Sequence, residues 1–203
     1  MAFNSYATLG PALERITGLS DLVSSGMFDD SVGYFESWIN RNIRHRSMLV
    51  SSSSLNISSG AIIHPVDWLE WESLENASSP RHIEIVTGRS ISDIKDLSLT
   101  GNPLYAIPRN TVTELYPAPS TLAGMRGTFY AKLTPISTVS NWLIIDYPDI
   151  YLNACLLAIS MWKRSDDEFA KYAIPFEKVT GELMQNSDAT RMGGSTLTIR
   201  SPR

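Results

Sequence analysis

The feature that most constrains this chain is a stretch that leaves no side for water. Tyr151, Leu152, Ala154, Cys155, Leu156, Ala158, Ile159 and Trp162 occupy nearly every face of a helical projection. Such a helix must be enclosed on most sides. Pro148 suits its first turn, Asp146 or Tyr147 can cap it, and Lys163 and Arg164 close it. Its longest apolar run, Ala154 to Met161, is far short of the roughly 20 residues that span a bilayer. The enclosure therefore has to come from protein.

Helical grammar occupies both ends of the chain, and strand grammar the middle. Asn4 or Ser5 can cap a helix to about Ile16, although Pro11 predicts a break or a late start. Asp29 or Asp30 then opens a firmer helix to about His45. Val32, Phe35, Trp38, Ile39 and Ile43 follow the spacing of one buried face. Acidic residues at its start and Arg41, Arg44, His45 and Arg46 at its end complement the helix dipole. Near the other end, Ser165-Asp166-Asp167-Glu168 is a capping box for a helix running through Leu183. Pro175 should kink that helix, and Gly193-Gly194 should stop it. Ser195–Arg200 then alternates like an exposed strand.

From Leu49 to Thr134 short runs are punctuated by Ser, Gly, Asn and Pro. Strands are expected at Leu55–Ile57, Ala61–Ile63, Trp68–Trp71, His82–Val86, Leu104–Ile107, Thr111–Leu115 and Gly127–Leu133. Ile91–Leu97 reads as a helical turn or two, and Ser51–Ser54 as low complexity. The Thr111–Leu115 and Gly127–Leu133 runs, joined by a Pro-rich turn, predict an antiparallel pair.

Composition narrows function mainly by exclusion. The 203 residues suit one sizeable domain or one domain with an insertion. Only 19% are charged and the net charge is −4, which argues against disorder and against a broadly basic nucleic-acid binder. Residues 51–162 carry ten acidic and six basic side chains, so the excess belongs to the middle. The lone Cys155 cannot form an internal disulfide or a multi-thiolate zinc site. With no signal-like N-terminus, the expectation is a soluble, slightly acidic intracellular protein.

Chemistry-bearing motifs are sparse. His45, His64 and His82 lie in separate elements with no metal-ligand spacing, and no phosphate-binding or nucleophile-elbow motif occurs. No catalytic, metal or cofactor site is therefore assigned, and no cofactor is expected. Asp166-Asp167-Glu168 is better explained by helix capping than by cation binding. Glu70, Glu72 and Glu75 around Trp68 and Trp71 sustain one alternative: a small hydrolase or carbohydrate-binding module using Trp68–Glu75. A monomeric nucleic-acid binder using Arg41, Arg44 and Arg46 is a third reading. Capping of a helix end, or an ion pair with a partner's carboxylate, suits those arginines better.

The order of these pieces resembles a known family. Tyr34 to Arg46 resembles the second helix of tailed-phage head-to-tail adaptors, with its aromatic–x–x–(A/W)–x–N–R–x–(I/L)–R pattern. Tyr147-Pro148-Asp149-Ile150-Tyr151-Leu152 looks like the start of their third helix, and Ser165-Asp166-Asp167-Glu168 like that of the fourth. Gly193-Gly194-Ser195-Thr196-Leu197-Thr198-Ile199-Arg200 resembles their closing segment. Pro65-Val66-Asp67-Trp68-Leu69-Glu70, Leu115-Tyr116-Pro117-Ala118-Pro119 and Thr128–Leu133 resemble pieces of their β insertion. The likeness covers about residues 25–200, and Pro175 and Trp162 depart from it.

The resemblance, similar to the tail tubular protein A type, implies an α+β fold. It would be an antiparallel bundle of about four helices, with a β-rich insertion between helices 2 and 3 and a C-terminal strand-like tail. The bundle would comprise 1–48 and 141–194, the insertion 49–140 and the extension 195–203. The implied role is structural and non-enzymatic. A ring, expected to be dodecameric, would sit under the portal, extend the DNA channel and join capsid to tail at the head–tail junction of the virion, after assembly in the host cytoplasm. Its partners would be copies of itself, the portal protein, a downstream tail or nozzle protein and passing genomic DNA without sequence specificity, with no membrane. Ser195, Thr196, Leu197, Thr198, Ile199 and Arg200 are the implied portal-binding candidates. Arg41, Arg44 and Arg46 are the subunit-interface candidates.

Overall fold

The enclosed helix expected from the sequence is α4, Pro148–Trp162, with proline at its first turn and Tyr147 before it. The structure is a computed structural model that describes residues 3–76, 81–86, 100–119 and 124–193. The chain forms two compact units, residues 1–47 with 133–203, and residues 48–132. In the first unit α4 touches each of the other helices: α1 (Tyr6–Thr17), α2 (Met27–Asn42), α3 (Trp142–Asp146) and α5 (Asp166–Gly193). Burial of Leu9, Phe28, Phe35, Ile39, Leu143, Ile150, Tyr151 and Leu183 around it makes that unit's core. No helix among the described residues is long and apolar enough to cross a membrane.

The expected antiparallel bundle of about four helices is not what forms. Among the described residues, five α-helices and ten strands in three sheets make a mixed α+β protein. The extra helix is α3, which arises because the Asn141 side chain accepts a hydrogen bond from the Ile144 amide at 3.0 Å. It stops after five residues, before Pro148, which favours extended backbone at the residue preceding it. At 28 residues against five, α5 and α3 are not matched bundle members.

Helix ends differ from expectation for local reasons. Pro11 neither breaks nor delays α1, which runs through it from its Ser5 cap. Helix α2 starts at Met27, two residues before Asp29, because Gly26 takes a left-handed conformation (φ 80°) as its N-cap. It ends at Asn42 rather than His45, since Ile43 is already extended. Half of the capping box at α5 forms. The Glu168 amide donates to Ser165 Oγ at 3.4 Å, while the Glu168 carboxylate pairs with Lys163 Nζ at 2.7 Å.

The second unit contains all ten strands: β1 (Leu49–Ser52), β2 (Ile57–Ser58), β3 (Ala61–Ile63), β4 (Trp68–Asn76), β5 (Glu84–Ile85), β6 (Thr100–Gly101), β7 (Tyr105–Pro108), β8 (Val112–Tyr116), β9 (Ala118–Pro119) and β10 (Met125–Ala131). They form sheets in the orders β1-β10-β4, β2-β3-β8-β7-β5 and β6-β9. The expected pairing of Thr111–Leu115 with Gly127–Leu133 does not occur. Strand β8 lies between β3 and β7, whereas β10 lies between β1 and β4, in a different sheet. Strand β1 went unread because Ser51 and Ser52 look like a linker; Ser51 Oγ meets Thr128 Oγ1 across the ladder at 3.1 Å. The core of this unit gathers Leu55, Ile62, Trp71, Leu74, Leu115, Met125 and Phe129. Buried Gly127 is required there, because a Cβ would stand 2.8 Å from Leu74 Cδ2 and 2.9 Å from Trp71 Cζ3. The expected Ile91–Leu97 helix and Ser195–Arg200 strand lie outside the described residues.

Candidate functional site

In the helical unit the polar centre is Glu36. Its position falls within the apolar spacing of Val32, Phe35 and Ile39, so helix formation carries it into the core, where it is only 7% exposed. Glu36 Oε1 accepts from the Ile136 amide at 2.8 Å and from the Tyr151 hydroxyl at 2.9 Å. Asn141 Nδ2 in turn donates to the Tyr151 oxygen at 2.8 Å and to the Thr134 carbonyl at 2.7 Å. The chain of bonds ties α2, the 133–141 segment and α4 together. Burial raises the Glu36 carboxyl above the ordinary carboxylate range, although both hydrogen bonds oppose that shift. Burial, followed by the charge of Glu36, also pushes the Tyr151 hydroxyl upward.

Glu36 borders a cleft of about 410 Å³ that also includes Tyr6, Asp29, Ser37, Asn40 and Ser137. The Tyr6 hydroxyl donates to Asp29 Oδ1. Its own pKa is pushed up to about 12 by burial, then by the Asp29 hydrogen bond and the charges of Asp29 and Glu36. A second opening in this unit is apolar. Tyr34, Trp38, Leu157, Met161, Phe169 and Phe176 line a groove of about 160 Å³ formed by α2, α4 and α5.

The three arginines near the end of α2 are close in sequence but differ in use. Arg41 Nε donates to the Ser37 carbonyl at 3.3 Å. Arg44 Nη1 donates to the Asn40 and Ile43 carbonyls at 2.9 and 2.8 Å. Both therefore satisfy carbonyls at a helix C-terminus. Arg46 is exposed in the short turn Arg46–Met48. Next to it His45 is buried and stacked on Trp142, with ring centroids 4.6 Å apart. Ser195–Arg200 lies outside the described residues.

In the β unit, His64, Trp68, Trp71 and Thr113 form one cluster. His64 stacks on Trp68 with centroids 3.6 Å apart. His64 Nε2 and Trp71 Nε1 both lie 2.7 Å from Thr113 Oγ1. The indole N–H can only donate, so the Thr113 oxygen accepts from Trp71, while toward His64 Nε2 the hydroxyl donates or accepts with the imidazole tautomer. Burial lowers the His64 pKa. Trp71 is buried and Trp68 has one face against His64, so the pair forms part of a core rather than an open stacking platform.

The remaining chemical candidates are dispersed. Strand β4 does not alternate simply: register shifts opposite Thr128/Phe129 and Tyr130/Ala131 bury Trp71 and Leu74, three residues apart. Glu70 and Glu75 are exposed and Glu72 is half-buried, which defines no carboxylate pair. Cys155 is fully buried, and burial pushes its thiol far above the nucleophilic range. Among the described residues no group of three or more His, Cys, Asp or Glu could hold a metal ion.

Glu36, Asn141 and Thr113 were not singled out as site residues in the sequence. A charge inside an apolar helical face was the signal for Glu36. For Asn141 it was a capping residue before Trp142-Leu143-Ile144. For Thr113 it was alternation with buried Leu115. Two comparisons bear on what these surfaces serve. The family model described as SU10 adaptor protein matches residues 6–200. No curated protein matches the chain.

Proposed function

The chain belongs to the SU10 adaptor protein family, a family of structural phage proteins, and on that premise we propose that it joins head to tail as a ring beneath the portal. The observation that carries this reading is the family match, which extends over both structural units. The copy number expected is twelve, and the ring would continue the DNA channel toward a tail or nozzle protein. A conduit for DNA gains from weak phosphate affinity, and a net charge of −4 suits that requirement. Exposed apolar side chains offer area for assembly. Met161, Trp162 and Phe169 are each about 40% exposed and Ile174 is 72% exposed. Residues 1–48 and 141–194 are proposed as the part that packs ring neighbours, 49–140 as the part that meets tail components, and 195–203 as the portal contact.

In the portal contact, Ser195, Thr196, Leu197, Thr198, Ile199 and Arg200 would add as a strand, with backbone bonds giving affinity and alternating side chains giving specificity. The test is to mix the purified chain with its portal ring, image the particles and weigh them by native mass spectrometry. A stacked ring near twelve copies is expected, and the absence of any ring with or without portal would overturn the proposal. Deleting residues 195–203 should abolish portal binding. Undiminished stoichiometric binding by the truncated chain would remove the tail from the mechanism.

A further inference from the structure

We infer that Ile174 of one copy seats in the apolar groove formed by α2, α4 and α5 of the next copy, so that successive helical units join head to tail. This rests on the ring reading above and names the contact that would build it. The groove, of about 160 Å³, is walled in part by Tyr34, Met161 and Phe169, large apolar side chains that stay exposed. Apolar exposure gathered in one concavity marks a contact surface, whereas the same side chains scattered singly would not. Among the described residues of the helical unit, Ile174 is the most exposed large apolar side chain, at 72%.

Helix geometry places this knob and the groove on opposite sides of α5, which continues unbroken through Pro175. Phe169 and Phe176, both in the groove wall, are seven residues apart and so fall within about 20° of each other around the axis. Ile174 lies about 140° from Phe169 and about 160° from Phe176. Asp167, Ala170, Lys171, Glu177 and Lys178 around it are all exposed, as befits the solvent side of the helix. Ile174 therefore cannot fill the groove of its own chain. A copy that fills its neighbour's groove leaves its own open to the next, which is the heterologous contact that closes into a ring.

Charge identifies the occupant as a second copy and fixes its direction. On α2, Asp30 precedes Tyr34 by about one turn and Arg41 follows Trp38 by less than one, both within about 60° of those groove side chains. The groove is thus flanked by an acid and then a base. On α5, Lys171 precedes Ile174 by three residues and Glu177 follows it by three, so the knob is flanked by a base and then an acid. No ion pair engages Asp30, Lys171 or Glu177 among the described residues, whereas Lys178 already faces Glu182 at 4.0 Å. With the two helices parallel, Lys171 meets Asp30 and Glu177 meets Arg41. The antiparallel crossing would oppose like charges. The spans to be matched, about 16 Å on α2 and about 9 Å on α5, differ by no more than long side chains reach at the two ends.

The experiment assembles the purified chain on portal rings and counts copies by native mass spectrometry across a titration. Ile174→Glu keeps a good helix former between Lys171 and Lys178, and Tyr34→Glu alters an exposed groove residue. Each should leave the unfolding of the free chain nearly unchanged and raise the half-assembly concentration roughly 30-fold or more. Arg41→Glu and Glu177→Lys should each raise it roughly 3- to 10-fold, and the exchanged pair together should recover most of that loss. Cross-linking reads the direction. Chains carrying Asp30→Cys and chains carrying Lys171→Cys, mixed in one ring, should be joined by a short bis-maleimide, while neither chain should link to itself. Rings that assemble normally with Ile174→Glu, or that fail to cross-link in the mixture, would overturn the contact and leave the ring reading intact. Self-linking of either chain would overturn the head-to-tail arrangement. Linking of Asp30→Cys to Leu197→Cys in its place would assign the groove to the C-terminal segment, and maleimide protection of Phe169→Cys only after a tail component is added would assign it to that component; either overturns the inference. A wild-type chain that forms no ring would overturn the ring reading, and this inference with it.

Discussion

Each unit is built around one buried oxygen, and the two oxygens differ in charge. In the helical unit Glu36 Oε1 joins residues 100 and 115 positions away in the chain. In the β unit Thr113 Oγ1 joins residues 49 and 42 positions away. The carboxylate accepts two bonds but must be kept from water at a cost. The neutral hydroxyl accepts from Trp71 and pairs with His64 Nε2 without that cost. The helical unit therefore carries an ionisable group at its centre, whereas the β unit is organised by an uncharged hydroxyl and leaves the buried Trp68 Nε1 without a partner among the described residues.

Removing the two oxygens should separate the units, with the larger effect at Glu36. Glu36→Ala leaves the Ile136 amide and the Tyr151 hydroxyl without their acceptor and opens a cavity. It should destabilise the helical unit by about 2–4 kcal/mol. Glu36→Gln should be close to neutral, because an amide oxygen still accepts both bonds and no charge is buried. Denaturant unfolding followed by hydrogen exchange reads both, and protection should fall in 6–43 and 133–183 while β10 stays protected. Equal losses for alanine and glutamine would mean that the charge, not the acceptor, holds the unit.

Thr113→Val is the corresponding change in the β unit. It preserves shape but removes the acceptor of Trp71 Nε1 and the partner of His64 Nε2, with an expected cost of about 1–3 kcal/mol. Exchange should increase at β3, β4 and β8 and leave α2 and α4 unchanged. Gly127→Ala probes the same unit through packing alone. Its Cβ would press on Leu74 and Trp71 at the centre of the three-stranded sheet, with an expected cost of about 1–3 kcal/mol. If Gly127→Ala proves harmless, the Leu74 side chain gives way more easily than its buried position suggests.

The two units were not equally legible. Helix α4 could be read directly, since a helix apolar on every side admits few environments and Pro148 marks its start. The helix that upset the expected bundle, α3, is five residues long and gives too little periodicity to recognise. The β unit was harder because pairing is decided by contacts distant in sequence. Nothing within Thr111–Leu115 or Gly127–Leu133 says that β8 and β10 enter different sheets. The bulges opposite β10 also break the two-residue alternation that would otherwise set the face of each glutamate in β4. As for the surfaces, the arginines at the end of α2 were visible as a charge run. The cleft was not, because it needs Tyr6 from α1 and Ser137 from a segment 100 residues beyond Ser37.

The smallest expected effects are those of pH, and they distinguish the units by sign. The folded pKa of Glu36 is raised, so the folded helical unit holds a proton that the unfolded chain releases. Its stability is full below the ordinary carboxylate value of 4.5 and declines as pH rises through the raised one. His64 in the β unit has a lowered pKa, so there the unfolded chain takes up the proton first. That contribution is full above 6.5 and is lost as pH falls toward the lowered value. His45 places a similar acid-side loss in the helical unit, where burial also lowers it. The helical unit should therefore lose stability on both sides of an optimum and the β unit on the acid side alone. Site-resolved exchange between pH 4 and 8, corrected for intrinsic rates, measures both, and Glu36→Gln should remove only the decline on the alkaline side of the helical optimum. A decline that survived Glu36→Gln would show that some other group in the helical unit carries the proton.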